Sequence, residues 1–174
     1  MRAKLFIVSG TLLIASGAGA LAQHAVAREA RREGVEPEFF VIDDQDSQMR
    51  HAVHDARKTV GVFIKALQHP AADQRDFEVK KPFVKDGEVE HLWLSDVHFS
   101  GNRLHGRVDN RPQKIKGLKV GDLVSVNPDE ITDWAFVENG KLHGGYTIRA
   151  LYDSLSPQRK KELENELDFK ITKH

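Results

Sequence analysis

The chain has no cysteine among its 174 residues, and that absence removes two things at once. No disulfide can reinforce a small core in an oxidising compartment, and no thiolate can act as a nucleophile. Net charge is missing as well, since 26 basic residues balance 26 acidic ones. Nucleic acid is bound through an excess of lysine and arginine that displaces phosphate counterions, so it is not expected as a partner. Neither Gly-x-Ser-x-Gly nor His-Glu-x-x-His occurs, which leaves out the nucleophile elbow and the helical zinc-protease signature. The sequence also lacks internal repeats and low-complexity tracts.

What is there begins as an export signal. Arg2 and Lys4 precede an apolar segment from Leu5 to about Ala22, and Ala20-Leu21-Ala22 fits a signal-peptidase site. Cleavage after Ala22 is expected; Ala25-Val26-Ala27 offers a second site, and a retained anchor is the alternative. The run barely reaches the ~18 residues a bilayer span requires, and Ser9, Gly10, Thr11, Ser16, Gly17 and Gly19 dilute it. As a buried core helix it would lose about 1 kcal/mol for each glycine. Without Arg2 and Lys4 the mature chain carries 24 basic against 26 acidic residues and is mildly acidic. The expected location is periplasmic or secreted, or inner-membrane anchored facing the periplasm, with the membrane touched only through an uncleaved N-terminus. A cysteine-free exported domain also suits a Gram-negative periplasm.

The expected organisation is a leader over 1–22, a charged linker over 23–38 and a single α+β domain over 39–174. A domain near 150 residues buries close to 70% of its unfolded surface, which suffices without covalent staples. Phe39 to Ile42 reads as a short first strand. Met49, Ala52, Val53, Ala56, Val60, Phe63, Ile64 and Leu67 recur at helical steps, which predicts a helix over about 47–68 with Asp46 or Ser47 as cap and Pro70 closing it. From Phe77 to Thr147 the period is two, the mark of strands.

Two hairpins organise that stretch. A turn at Gly101-Asn102 pairs Phe99 with Leu104, His98 with His105, Val97 with Gly106 and Asp96 with Arg107, with Trp93, Val97, Phe99, Leu104 and Val108 on one apolar face. A turn at Asn139-Gly140 joins Ile131–Glu138 to Lys141–Ile148 and pairs Val137 with Leu142, Ala135 with Gly144, Trp134 with Gly145, Asp133 with Tyr146 and Ile131 with Ile148. Both faces of this second ribbon carry apolar groups, so it is either buried on both sides or lines a groove with its aromatic face. Leu123 to Val126 makes a short strand between them, and Ser156 with Pro157 starts a C-terminal helix that runs to about Leu167. Together these predict a curved, mainly antiparallel sheet packed by the 47–68 helix, with the C-terminal helix at its side.

In order, Glu90-His91-Leu92-Trp93-Leu94, Asn110-Arg111-Pro112, Gly117-Leu118-Lys119-Val120-Gly121-Asp122, Ile131-Thr132-Asp133-Trp134 and Gly144-Gly145-Tyr146-Thr147-Ile148-Arg149 resemble the domain-of-unknown-function 2314 (YegJ-like) family. The resemblance runs from about Met49 to Leu151. It implies a compact bacterial α+β domain, found alone and in exported proteins, and carries no activity, cofactor or catalytic residue with it.

Three constellations could bear chemistry. His98 and His105, with Asp96, form the best metal-like cluster, although two imidazoles and one carboxylate leave a shell short of the three or four protein ligands a zinc site uses. His91, beside Trp93, could act as a general base or as a core histidine. Asp133 opposite Tyr146, with Arg149 nearby, could form an acid/base and anion clamp or a structural carboxylate network. Gly144-Gly145 in mid-strand admits two readings: cover by Trp134, or a bare shelf flanked by Trp134, His143 and Tyr146 that takes a ligand. The functional expectation is an exported, non-catalytic binding or interaction module of the bacterial cell envelope, holding no cofactor and binding a protein, peptide or glycan. The alternatives are a periplasmic hydrolase using His91 with Asp133, and a protein that neutralises a toxin.

Overall fold

The computed structural model describes residues 47–172; the leader, the linker, the strand expected at 39–42 and the Asp46 cap lie outside them. Within that range the fold is α+β: a six-stranded antiparallel open sheet with three helices. Helix α1 spans Ser47–Gln68 and buries Met49, Ala52, Ala56 and Phe63, the stripe that its three- and four-residue spacing predicts. It stops two residues short of Pro70, whose ring excludes the helical conformation from the residue before it.

Strands β1 (Gln74–Lys85), β2 (Glu88–Ser100), β3 (Arg103–Val108), β4 (Leu123–Val126), β5 (Asp133–Glu138) and β6 (Lys141–Gly144) are arranged in the order β4-β3-β2-β1-β5-β6. Three hairpin turns use the same device, two successive residues at positive φ: Asp86 with Gly87, Gly101 with Asn102, and Asn139 with Gly140. Left-handed pairs of this kind match the twist of antiparallel strands, and glycine, asparagine and aspartate are the residues that adopt them at least cost. Helices α2 (Tyr146–Ser154) and α3 (Pro157–Glu166) follow, the latter capped by Ser156 with Pro157 in its first turn, as the sequence predicts.

The first hairpin keeps its expected register only near the turn, where His98 pairs with His105 and Phe99 with Leu104. A bulge then intervenes, so that Arg107 faces Ser95 instead of Asp96 and Val108 faces Leu94. Asp96 takes the extra position at φ 51°. Gly106 lies under the kink; a Cβ there would come within 3.0 Å of both the Leu94 Cβ and the Ser95 carbonyl. The odd residue moves every position before it to the other face. Leu92, Leu94, Val97, Leu104 and Val108 therefore share the core under α1, whereas Trp93 packs on the opposite face with Ala135 and Leu142.

The second hairpin is shorter than its sequence period implies. Ala135–Gly144, Phe136–His143 and Val137–Leu142 pair, but β6 ends at Gly144, and the pairs expected for Gly145, Tyr146 and Ile148 do not form because α2 begins there. Gly144 and Gly145 stand at φ 66° and 60°, which takes the chain out of the strand and into a helix. A Cβ on Gly144 would lie 2.2 Å from the Trp134 carbonyl and 2.3 Å from its ring, so the close approach admits glycine only. The β5–β6 ribbon is buried on both sides, Trp134 and Phe136 against α1, Ala135 and Leu142 against Ile148, Phe169 and Ile171. Lys170 extends the sheet by a parallel bridge to Lys141, with its amide on the Gly140 carbonyl at 2.8 Å. Among the described residues no helix is long and apolar enough to cross a membrane.

Candidate functional site

Asp133 lies at the start of β5 with no solvent exposure, and its carboxylate reaches across to the first turn of α2. Oδ1 accepts from the amides of Trp134 at 2.8 Å and Tyr146 at 3.0 Å; Oδ2 accepts from the Thr147 amide at 2.8 Å and hydroxyl at 2.6 Å. The N-cap of α2 is Gly145, which has no side chain to offer. Asp133 fills that role from a neighbouring strand, placing a carboxyl where exposed N–H groups and the helix dipole favour it. Burial pushes its pKa up, while the Thr147 hydroxyl and the amides of Thr147 and Trp134 pull it down. The partners expected for it were the Tyr146 hydroxyl and the Arg149 guanidinium. The Tyr146 hydroxyl instead meets Thr59 of α1 at 2.8 Å, and the guanidinium turns elsewhere.

Arg149 donates from Nε to the Thr172 carbonyl at 2.9 Å and from Nη2 to the Leu142 carbonyl at 2.6 Å, which ties α2 to β6 and to the C-terminal segment. Burial lowers its pKa, and the nearby Asp133 charge offsets part of that effect. His91 sits on the same face as Trp93, as expected, with Nδ1 3.1 Å from the Thr132 hydroxyl. The three residues proposed as a catalytic group are thus engaged by three different elements: Asp133 by α2, Arg149 by β6 and the C-terminus, His91 by the segment before β5.

The proposed binding shelf takes a different form. Trp134 is 3% exposed; its indole N–H donates to the Ala56 carbonyl of α1 at 2.9 Å, and its ring stacks beside Phe136 and meets Phe63 at a tilt. It covers Gly144 from the core side, so these aromatic and glycine positions are joined by packing. Gly145 and Tyr146 begin α2. His143 keeps 41% of its side chain exposed, lies flat on Phe136 and places Nε2 3.2 Å from Glu138.

His98 and His105 do stack across the ladder, with ring centroids 4.9 Å apart. The bulge separates Asp96 from the pairing that placed it with them. Among the described residues no group of three histidine, aspartate or glutamate side chains gathers to hold a metal ion.

Two polar clamps were not legible beforehand. Glu90 accepts from three consecutive amides, Gln113 at 2.7 Å, Lys114 at 3.0 Å and Ile115 at 3.1 Å, and so pins the loop between β3 and β4 to the β1–β2 ribbon. Asn110 offers its side-chain oxygen to the Trp93 amide at 2.8 Å, replacing a strand where β3 has ended, and the buried Asp109 accepts from Ser95 at 3.0 Å. The only signal for either is position: an acid two residues into a strand and an asparagine before Arg111-Pro112.

These clamps and the cap fall in the segments that carried the family resemblance. The family described as an uncharacterized protein conserved in bacteria, DUF2314, matches residues 46–170. The chain belongs to the DUF2314 family. It is 32% identical over 129 residues to the uncharacterized protein YegJ of Escherichia coli K12, covering 74% of this chain and 83% of that one. It is 33% identical over 132 residues to a putative ankyrin repeat protein of Neisseria meningitidis serogroup B, covering 71% of this chain. The match spans about half of the Neisseria protein, 52% of its length. No solved structure matches the chain. Within the DUF2314 fold, then, the segments of the resemblance hold a helix cap, a loop clamp and a glycine close approach.

Proposed function

We propose that this DUF2314 domain is a non-catalytic binding module of the bacterial cell envelope, exported by its leader and recognising a protein, peptide or glycan. The observation that carries this reading is the coordination of Asp133. A general acid or base must present a lone pair or proton to the substrate. Both Asp133 oxygens accept two donors each, and three of the four donors are backbone amides of the fold. Withdrawing the carboxylate for chemistry would uncap α2, which argues for a structural duty.

The test has two arms. Purified full-length protein is assayed on chromogenic ester, phosphate, glycoside and peptide substrates beside His91→Ala; the expected result is no turnover by either. In cells, the tagged chain is cross-linked in the envelope, where a discrete adduct that untagged chain competes away is expected. Turnover that vanishes in His91→Ala, or the lack of any competed adduct, overturns the proposal.

A further inference from the structure

Strand β4 is an edge. Among the described residues it pairs on one side only, Val124 with Gly106 and Leu123 with Arg107. The opposite edge, β6, is covered by the bridge to Lys170. Proteins commonly protect an exposed edge with lysine, proline or a bulge. The four residues Leu123-Val124-Ser125-Val126 contain neither lysine nor proline, and their pairing with β3 is regular. Val108 donates to the Asp122 carbonyl at 3.0 Å, and with the two-residue alternation of an antiparallel ladder this turns the N–H and C=O groups of Leu123 and Ser125 outward. Leu123 is also 65% exposed, an apolar side chain left largely in water.

The sheet face beside this edge is positively charged. Arg103, His105 and Arg107 follow one another along one face of β3, and His98 stacks on His105 from β2. Arg103 donates to Ser125 and Asn127, and Arg107 to the Gly121 carbonyl at 2.9 Å, so both guanidinium groups are held at the margin of β4 by uncharged oxygens. The acids nearby are Asp96, exposed at the bulge, Asp122, whose carboxylate accepts from the Lys119 amide, and Glu130, whose carboxylate accepts from Asn127 and is also drawn by the Arg103 charge; Arg107 remains the cation nearest Leu123. An edge blunted only by its shortness and a pair of guanidinium groups meet at the same four residues.

We infer that β4 receives an acidic, extended peptide segment of a partner protein, added as a seventh antiparallel strand. This deepens the binding-module reading, on which it rests, by naming the surface and the chemistry of the ligand. The peptide backbone bonds to Leu123 and Ser125, which supplies affinity independent of sequence. An apolar side chain of the peptide packs on Leu123, and its carboxylates lie over Arg103 and Arg107, which supplies selectivity. Backbone pairing with alternate side chains read on one face is the general mode of strand addition.

The probe is the N-acetylated peptide Glu-Thr-Val-Thr-Glu-Thr, whose glutamates and valine share the face of Leu123 and Arg107, titrated into the full-length isotope-labelled protein, with the same peptide carrying lysine for glutamate as control. Saturable amide shifts centred on Leu123 and Ser125 are expected from the acidic peptide alone. Replacing Arg107 by Gln should weaken binding by about fivefold or less, the ceiling for an exposed ion pair. Leu123→Pro should abolish it while leaving the melting transition in place, because proline is tolerated at the first residue of an edge strand and removes an outward N–H. Equal binding of the lysine peptide, shifts that map away from β4, or full binding by Leu123→Pro overturns the inference. Concentration-dependent shifts of the same amides without peptide also overturn it, assigning the edge to a second copy of the chain. If no peptide binds while envelope cross-linking gives its competed adduct, this inference falls and the binding-module reading stands.

Discussion

Asp133 and Thr147 are joined twice, the amide and the hydroxyl of Thr147 both donating to one carboxylate oxygen, at 2.8 and 2.6 Å. The pair fastens the first turn of α2 to the start of β5 without any contribution from the residue at the cap itself. Replacing Asp133 with Asn keeps the shape but turns an NH2 group toward donors. The expected loss is about 1–3 kcal/mol, the cost of leaving a buried donor without an acceptor. Urea unfolding of the two proteins measures it.

The pH dependence of that loss has a defined sign. Burial holds the Asp133 carboxyl above its ordinary value of 3.8, so the native protein retains a proton that the unfolded chain releases. Stability gained in this way is complete below 3.8 and is lost as pH rises through the native value. The difference in unfolding free energy between wild type and Asp133→Asn should therefore narrow as pH rises from that point. A gap that widens instead would show that the fold prefers the ionised carboxylate.

Gly144 and Gly87 both hold positive φ, yet only Gly144 is crowded, since a Cβ on Gly87 meets nothing within 4 Å. Gly87→Ala should lower stability by about 1–2 kcal/mol, the backbone cost of a left-handed alanine. Gly144→Ala adds a collision with the Trp134 carbonyl and ring, and should cost clearly more or prevent folding. Denaturant midpoints of the two variants separate the conformational cost from the steric one.

Glu90 gives a fourth prediction, with a local readout. Removing its carboxylate by Glu90→Ala releases the amides of Gln113, Lys114 and Ile115 together. Hydrogen exchange should accelerate at those three positions while the amides of α1 keep their protection. Unchanged exchange there would show that the loop is held by the burial of Ile115 instead.

Much of the architecture could be read before any coordinates, because its elements repeat a period long enough to count. The stripe from Met49 to Leu67 specifies α1, and Asn139-Gly140 and Gly101-Asn102 specify turns through left-handed residues. The misreadings come from single residues that interrupt a period. Asp96 adds one position to β2 and moves Trp93 to the other face, a change that alternation alone does not signal. Gly144-Gly145 resembles two weak strand residues, whereas their positive φ makes them the exit from β6. The site suffered most from the second error, since Tyr146 is expected on a strand opposite Asp133, where α2 begins instead. The hydrogen-bond appetite of a buried aspartate was legible; its direction was not.

The strand order carries a consequence for how the molecule assembles. Strands β1 to β4 form a meander in which each strand meets its predecessor, and such pairings close short loops at little entropic cost. Strand β5 instead returns to the far side of β1, with Gln74 opposite Glu138, and α1 must dock there too, Arg57 on the Ile131 carbonyl and Trp134 on Ala56. Contacts so distant along the chain are the slow ones to find. Capture of β5 by β1 and α1 is therefore the expected slow step of refolding, and a nascent chain that has emerged only as far as β4 has a central strand, β1, that still lacks its second neighbour.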